Sequence, residues 1–173
     1  RWQVKDKLES SLENNIFIEP YRRGKYILIP TNMDNILLIH LGMSGQIRIE
    51  KKVDIILKHD HMRIIVENNN KYFVITYNDP RRFGYVDCFK NNELKEHFLL
   101  AKIGIEPLGK ELTIKYLHDK FKKRSKNIKS ALIDQQIIAG IGNIYASEIL
   151  YKAKINPFRN VNTLNKNDLN SII

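Results

Sequence analysis

The chain has 173 residues, 43% of them hydrophobic, which is enough for one or two domains with a packed core and too apolar for a disordered chain. Lys and Arg number 29 against 19 Asp and Glu; the net charge of +10 points to nucleic acids or anionic surfaces as partners. No run approaches a membrane-spanning length, no signal peptide opens the chain, and a single cysteine excludes an internal disulfide and a four-cysteine zinc site. That cysteine, Cys88, reads as a buried strand residue, and the compartment as reducing and cytoplasmic. The chain opens Arg1-Trp2 without an initiator methionine and stops at Ile173 inside a fresh helical pattern from Asn167, so both ends read as cut.

The first half is patterned as β. Short runs rich in Ile, Val, Tyr and Phe cover 26–29, 36–40, 46–50, 61–67, 72–77 and 85–89. Turn residues separate them at Arg23-Gly24, 31–35, 42–45, Asn68-Asn69-Asn70 and 78–84. Short strands with short turns predict an antiparallel meander folded into a sandwich. The second half is patterned as α. Thr113 is placed to cap a helix bearing Ile114, Leu117 and Phe121 on one face, and Ser125 to cap the next, with Ile128, Ala131, Leu132 and Gln135 at helical spacing. Ala139-Gly140-Ile141-Gly142 breaks the pattern, and Asn143 opens a further stretch to about Lys154. Helix, two-glycine turn, helix is a helix–turn–helix arrangement. The expected organisation is α+β: an antiparallel β-sandwich domain over 1–92, a connector over 93–110 containing Gly104, Pro107 and Gly109, and a helical domain over 111–173.

Four features carry chemistry. The stretch KYLHDKFKKRSKNIK, residues 115–129, holds seven cations against one acid and leads into a helix start. Free amides and positive side chains at one helix start make an anion site, with Arg124 and Lys129 as the leading candidates. In AGIGN, residues 139–143, small residues let a phosphate approach the backbone, and Asn143 either caps the next helix or adds a donor. IHLGMSGQI, 39–47, reads as a hairpin with Met43 at its tip, where no core awaits it. NDPRRFGYV, 78–86, pushes Arg81, Arg82 and Phe83 outward between Pro80 and Gly84. Two exposed apolar tips on separate loops suit proteins that push wedges between base steps. His40, and His59 with His61 two apart on a strand, are candidate phosphate donors; no carboxylate or cysteine cluster completes a metal site. Lys25 follows a glycine turn, a surface lysine by default and otherwise one near a phosphate or a sugar.

HLGMSG at 40–45, KHDH at 58–61, DPRRFG at 79–84, GIEPL at 104–108 and IKSALIDQQIIAGIGNIYASEIL at 128–150 together resemble the bacterial formamidopyrimidine-DNA glycosylases, with RRGKY at 22–26 fitting upstream. The related endonuclease VIII branch shares the helix–two-turn–helix but lacks this Met and Arg-Arg-Phe set. The resemblance implies a two-domain base-excision repair enzyme that removes oxidised purines such as 8-oxoguanine and formamidopyrimidines, then cuts the strand by β,δ-elimination. It implies that Met43, Arg81 and Phe83 fill the space left by a flipped-out nucleotide, with Arg81 facing the widowed cytosine. Lys25, His40 and Asn143 match phosphate-gripping positions, His59, Arg124 and Lys129 match further DNA contacts, and Lys25 also matches a catalytic lysine. The family's N-terminal proline nucleophile and its C-terminal four-cysteine zinc finger have no match here, so the piece is expected to bind neither zinc nor any other cofactor and to be inactive alone. The expected partner is double-stranded DNA with an oxidised purine or abasic site, bound by a monomer in the bacterial cytoplasm, near the nucleoid and away from membranes. Two alternatives stand beside it: a non-catalytic damaged-DNA-binding remnant, and an RNA-binding or ribosomal-type protein using the basic helix pair.

Overall fold

The structure, a computed structural model, describes residues 8–51 and 56–173. The chain divides into two compact units, one up to Leu94 and one from Lys95 to Ile173.

The first unit opens with a short helix, α1 (Leu8–Leu12), followed by seven strands: β1 (Tyr21–Arg23), β2 (Tyr26–Pro30), β3 (Asn35–His40), β4 (Gln46–Glu50), β5 (Asp60–Asn68), β6 (Lys71–Asn78) and β7 (Tyr85–Lys90). They form two antiparallel sheets, ordered β1-β2-β3-β7 and β4-β6-β5. Leu37, Ile39 and Val86 from the first sheet meet Met62 and Tyr77 from the second, with Leu8 from α1, in one core. Burying each such aliphatic side chain contributes roughly 1.5–3 kcal/mol. The expected sandwich is there, but it is not a simple meander. β7 pairs with β3, not with its predecessor β6, which satisfies the backbone edge of β3 and brings Val86 into the core beside Leu37 and Ile39. The segment 41–45 is accordingly not a hairpin tip: it carries the chain from the first sheet to the second. Its local geometry imitates one, since the Gly45 amide donates to the Leu41 carbonyl at 2.9 Å.

Turn chemistry behaves as composition predicts elsewhere. Asn69 and Asn70, both at positive φ, make the two-residue β5–β6 turn. β1 lies outside the predicted strands; Arg23-Gly24 was expected only as a turn, and it is the corner of a β1–β2 hairpin. The expected pairing of His59 and His61 on one strand face is corrected. His59 sits at φ 77 ahead of β5, and the register slips between Asp60 and Met62, so strict alternation fails there.

The second unit contains α2 (Ile114–Phe121), α3 (Ile128–Leu132), α4 (Asn143–Lys152) and α5 (Lys166–Ile172). Leu117, Phe121, Ile128, Leu132, Leu150 and Leu169 lie in its core. Residues 95–110, expected as part of a connector, belong to this unit: Gly104 donates to the Gln135 carbonyl at 2.7 Å and Ala139 to that of Ile105 at 2.8 Å. Thr113 caps α2, accepting from the Tyr116 amide. The cap of α3 is Asn127 in place of the expected Ser125: its side chain accepts from the Ser130 amide at 2.8 Å. Asn127→Ala is therefore expected to cost about 1 kcal/mol of unfolding free energy in denaturant titration. Ser125→Ala should stay within about 0.5 kcal/mol; the reverse ranking would return the cap to Ser125. Asn143 is not a cap either, because Gly142 holds the extended N-cap position and Asn143 is the first helical residue of α4.

Candidate nucleic-acid interface

In the first unit the predicted residues gather at one end of the sandwich. The β2–β3 register sets Tyr26 opposite His40, and their rings lie 5.1 Å apart, while Tyr85 of β7 faces His40 from the other side. Lys25, exposed, is the second residue of the β1–β2 turn. His40 Nδ1 accepts from the Gly42 amide at 3.3 Å, which leaves the proton of a neutral ring on Nε2. Burial lowers the His40 pKa, and the Lys25 ammonium lowers it further, so the imidazole stays neutral and serves as a hydrogen-bond donor at neutral pH.

Three residues beyond His40, Met43 is 72% exposed. Phe83 is 46% exposed on the loop between β6 and β7, and Arg81 places its guanidinium 5.0 Å from the Phe83 ring centroid. Such a pair is worth about 0.5–1 kcal/mol at an exposed site and gives the two side chains a shared orientation. The two loops touch through glycine. A β-carbon on Gly42, which sits at φ +64, would lie 2.5 Å from the Gly84 nitrogen; one on Gly84 would collide with the Tyr77 hydroxyl and the His40 carbonyl. Only backbone without side chains lets the loops approach this closely.

The residue that sequence reading left out is Asp79. It reads locally as turn chemistry before Pro80, and its carbonyl does accept from the Arg82 amide at 3.2 Å. Its side chain is fully buried and accepts from the Ser44 hydroxyl at 2.5 Å, the Gly84 amide at 2.8 Å and the Tyr77 hydroxyl at 3.0 Å. Burial alone would raise the carboxyl pKa; hydrogen bonds from Ser44, Gly84, Tyr77 and Arg82 outweigh it and hold the pKa at about 2. Tyr77 shifts upward in turn, through burial and through the carboxylate beside it. His61 Nε2 lies 2.8 Å from the Asp79 carbonyl, and the Asp79 amide donates to the carbonyl of half-buried His59. The histidine pair thus buttresses the loop that carries Phe83.

The second unit presents a different surface. The start of α3 does not offer the free backbone amides that the sequence suggested. The Ile128 amide donates to Arg159, that of Lys129 to Pro157 and that of Ser130 to Asn127, so the first turn is already satisfied. Arg124 and Lys126 both pair with Asp134, at 3.3 and 2.7 Å. Burial would raise the Asp134 pKa, and the Lys126 bond, the Gln136 amide and both cations bring it down. Lys129, by contrast, has no ion-pair partner among the described residues and lines an open groove of about 660 Å³ with Ser147, Glu148, Tyr151, Lys154 and Asn156. In the two-glycine turn, the Gln135 side chain accepts from the Gly140 amide and donates to the Ile133 and Ile141 carbonyls. The turn closes on itself and delivers Asn143, exposed, to the start of α4. That helix has no side-chain cap, so its first turn begins without a side-chain acceptor, and Asn143 stands exposed there.

This arrangement has counterparts. The formamidopyrimidine-DNA glycosylase N-terminal domain matches residues 1–86, and the formamidopyrimidine-DNA glycosylase H2TH domain matches 103–173, leaving only 87–102 between them. The chain belongs to the formamidopyrimidine-DNA glycosylase family. A formamidopyrimidine-DNA glycosylase of Rickettsia felis is 38% identical over 100% of this chain and 61% of its own length, and one of Zymomonas mobilis is 39% identical over 100% and 62%. A crystal structure of the Lactococcus lactis enzyme bound non-covalently to DNA containing an AP site superposes with a TM-score of 0.87 at 32% identity, covering 96% of this chain and 63% of that one. The same enzyme with Fapy-dG-containing DNA also gives 0.87. The chain thus spans about three-fifths of the length of these family members.

Proposed function

We propose that this chain carries the damage-recognition surface of a base-excision DNA glycosylase. The complete protein removes oxidised purines, 8-oxoguanine and formamidopyrimidines among them, and cleaves the resulting abasic strand by β,δ-elimination. The observation that supports this reading best is the exposed Met43 and Phe83 on touching loops, with Arg81 laid over the Phe83 ring. Purely electrostatic binding of a backbone needs no such wedges.

Extruding a base costs a few kcal/mol in lost stacking and pairing, and the vacated stack must be filled. Phe83 wedges beside the orphaned base, Arg81 offers its guanidinium donors to that base, and Met43 enters from the neighbouring loop. Lys25, His40 and Asn143 hold the phosphates of the kinked strand: an ammonium, a neutral Nε2–H and an amide at an uncapped helix start. Lys25 is also assigned a part in the sugar chemistry. Lys129 and His59 extend the contact with the backbone. Arg124, already paired with Asp134, is assigned a shared role between that carboxylate and a phosphate. Zinc belongs to the family's C-terminal finger. No three His, Cys, Asp or Glu cluster among the described residues, and the sequence has one cysteine, so these residues do not fit zinc and no step runs through it.

Phe83→Ala is expected to weaken binding to an abasic-site duplex about tenfold while barely changing affinity for undamaged duplex, as measured by fluorescence anisotropy. Lys129→Ala should weaken both equally and reduce the salt slope by about one. Equal losses from Phe83→Ala on the two duplexes would make Phe83 an ordinary surface residue. For the chemistry, borohydride should trap the complete gene product on 8-oxoguanine duplex; no adduct would leave a non-catalytic damaged-DNA binder.

A further inference from the structure

We propose that Asp79 and Ser44 form a latch that joins the Met43 loop to the Arg81–Phe83 loop, so that the plug is assembled before DNA arrives. This rests on the damaged-DNA reading above and adds positioning residues to it. The two wedge-bearing loops come from different parts of the topology: 41–45 links β3 to β4, and 79–84 links β6 to β7. The strand ends that flank them are paired, His40 with Tyr85 and Gln46 with Asn78, but no backbone pair in either sheet joins the loop residues themselves.

Asp79 and Ser44 do. The Ser44 hydroxyl donates to Asp79 Oδ1 at 2.5 Å and accepts from the Arg81 amide at 3.2 Å, so one oxygen bridges both loops. Asp79 Oδ1 also accepts from the Arg81 amide at 3.3 Å, while Oδ2 accepts from Gly84 at 2.8 Å and from Tyr77, in the core, at 3.0 Å. The carboxylate therefore fixes both ends of the Arg81–Phe83 segment, and Ser44, next to Met43, hangs on the same group. Met43 and Phe83 are exposed, yet the backbone that presents them is fastened to a fully buried anion. A rigid presentation removes the ordering that a floppy pair of loops would undergo on binding.

Ser44→Ala tests this with least disturbance, because Ser44 is only half-buried and Asp79 keeps its Gly84 and Tyr77 donors. The probes are a duplex with a tetrahydrofuran abasic analogue opposite cytosine and the same duplex undamaged. Ser44→Ala and Met43→Ala are each expected to lower the ratio of the two affinities about tenfold, with the loss confined to the abasic duplex. Ser44→Thr, which keeps the hydroxyl, should restore the ratio. Without DNA, amide exchange at Arg81 should quicken in Ser44→Ala and stay unchanged in β3. Wild-type exchange at Arg81, or a wild-type ratio in Ser44→Ala while Met43→Ala loses it, overturns the latch. A wild-type chain that fails to distinguish the duplexes overturns the damaged-DNA reading instead, and the exchange result then stands apart from it.

Discussion

Asp79→Asn is expected to lower the free energy of unfolding at pH 7 by about 3 kcal/mol, and the gap to wild type should narrow as the pH falls below 4. An amide in place of the carboxylate turns one acceptor oxygen into a donor. Either the Ser44 and Arg81 groups or the Tyr77 and Gly84 groups then lose their acceptor in a buried site, and bonds to a charged acceptor are worth about 1.5–3 kcal/mol each. The pH course follows from the direction of the shift. The folded carboxyl sits at about 2 against an ordinary 3.8, so the unfolded chain binds the proton more readily. This contribution is present in full above the unfolded pKa and is lost as the pH falls from about 4 through 2; by linkage it amounts to roughly 2 kcal/mol. The variant still loses stability in acid, because Asp60, Asp134 and Asp168 are also held below their ordinary values. Urea titrations of both proteins at pH 7 and pH 2.5 provide the check: an equal gap at the two pH values would mean that Asp79 is not ionised in the fold.

Gly84→Ala should be comparably damaging for a steric reason. The new methyl group would meet the Tyr77 hydroxyl, the His40 carbonyl and, at 3.1 Å, the Leu41 carbonyl carbon. Two of these are backbone of β3 and its exit and cannot rotate away. Tyr77 can yield only by leaving Asp79, so overpacking of about 1–3 kcal/mol is compounded by a lost buried hydrogen bond. A fall in Tm of roughly 10 °C is expected in calorimetry, along with loss of preference for abasic duplex. A variant with wild-type Tm and intact preference would show that the loops have room to separate, contrary to the approach described for Gly42 and Gly84.

Much of the fold follows from periodicity. Six of the seven strands and the α2 and α4 helices lie where alternation or helical spacing places them, since each buries one face and its side chains must repeat with the element. The exposed Phe83 was legible too, because a phenylalanine and two arginines between Pro80 and Gly84 have no local use. Caps were less so. Thr113 stands alone before its helix, whereas Ser125 and Asn127 are both good caps two residues apart, and the choice is made by the Ile128 amide meeting the Arg159 carbonyl and by Asn127 pairing with Asn160. The free amides expected beside Arg124 and Lys129 at the start of α3 are missing for the same kind of reason. Amides that look free in a one-dimensional pattern are taken up by carbonyls some thirty residues away.

What the sequence by itself determined is local: which segments are extended or helical, where the chain turns, and that Met43, Arg81 and Phe83 stand on loop tips without a core to fill. Only the tertiary structure decided that those tips form one object. Asp79 satisfies every local rule as a turn residue before proline, so nothing nearby in the chain announces that its carboxylate is buried or that Ser44, thirty-five positions earlier, donates to it. A buried charge needs partners, and the sheet crossover that brings β3 beside β7 supplies them.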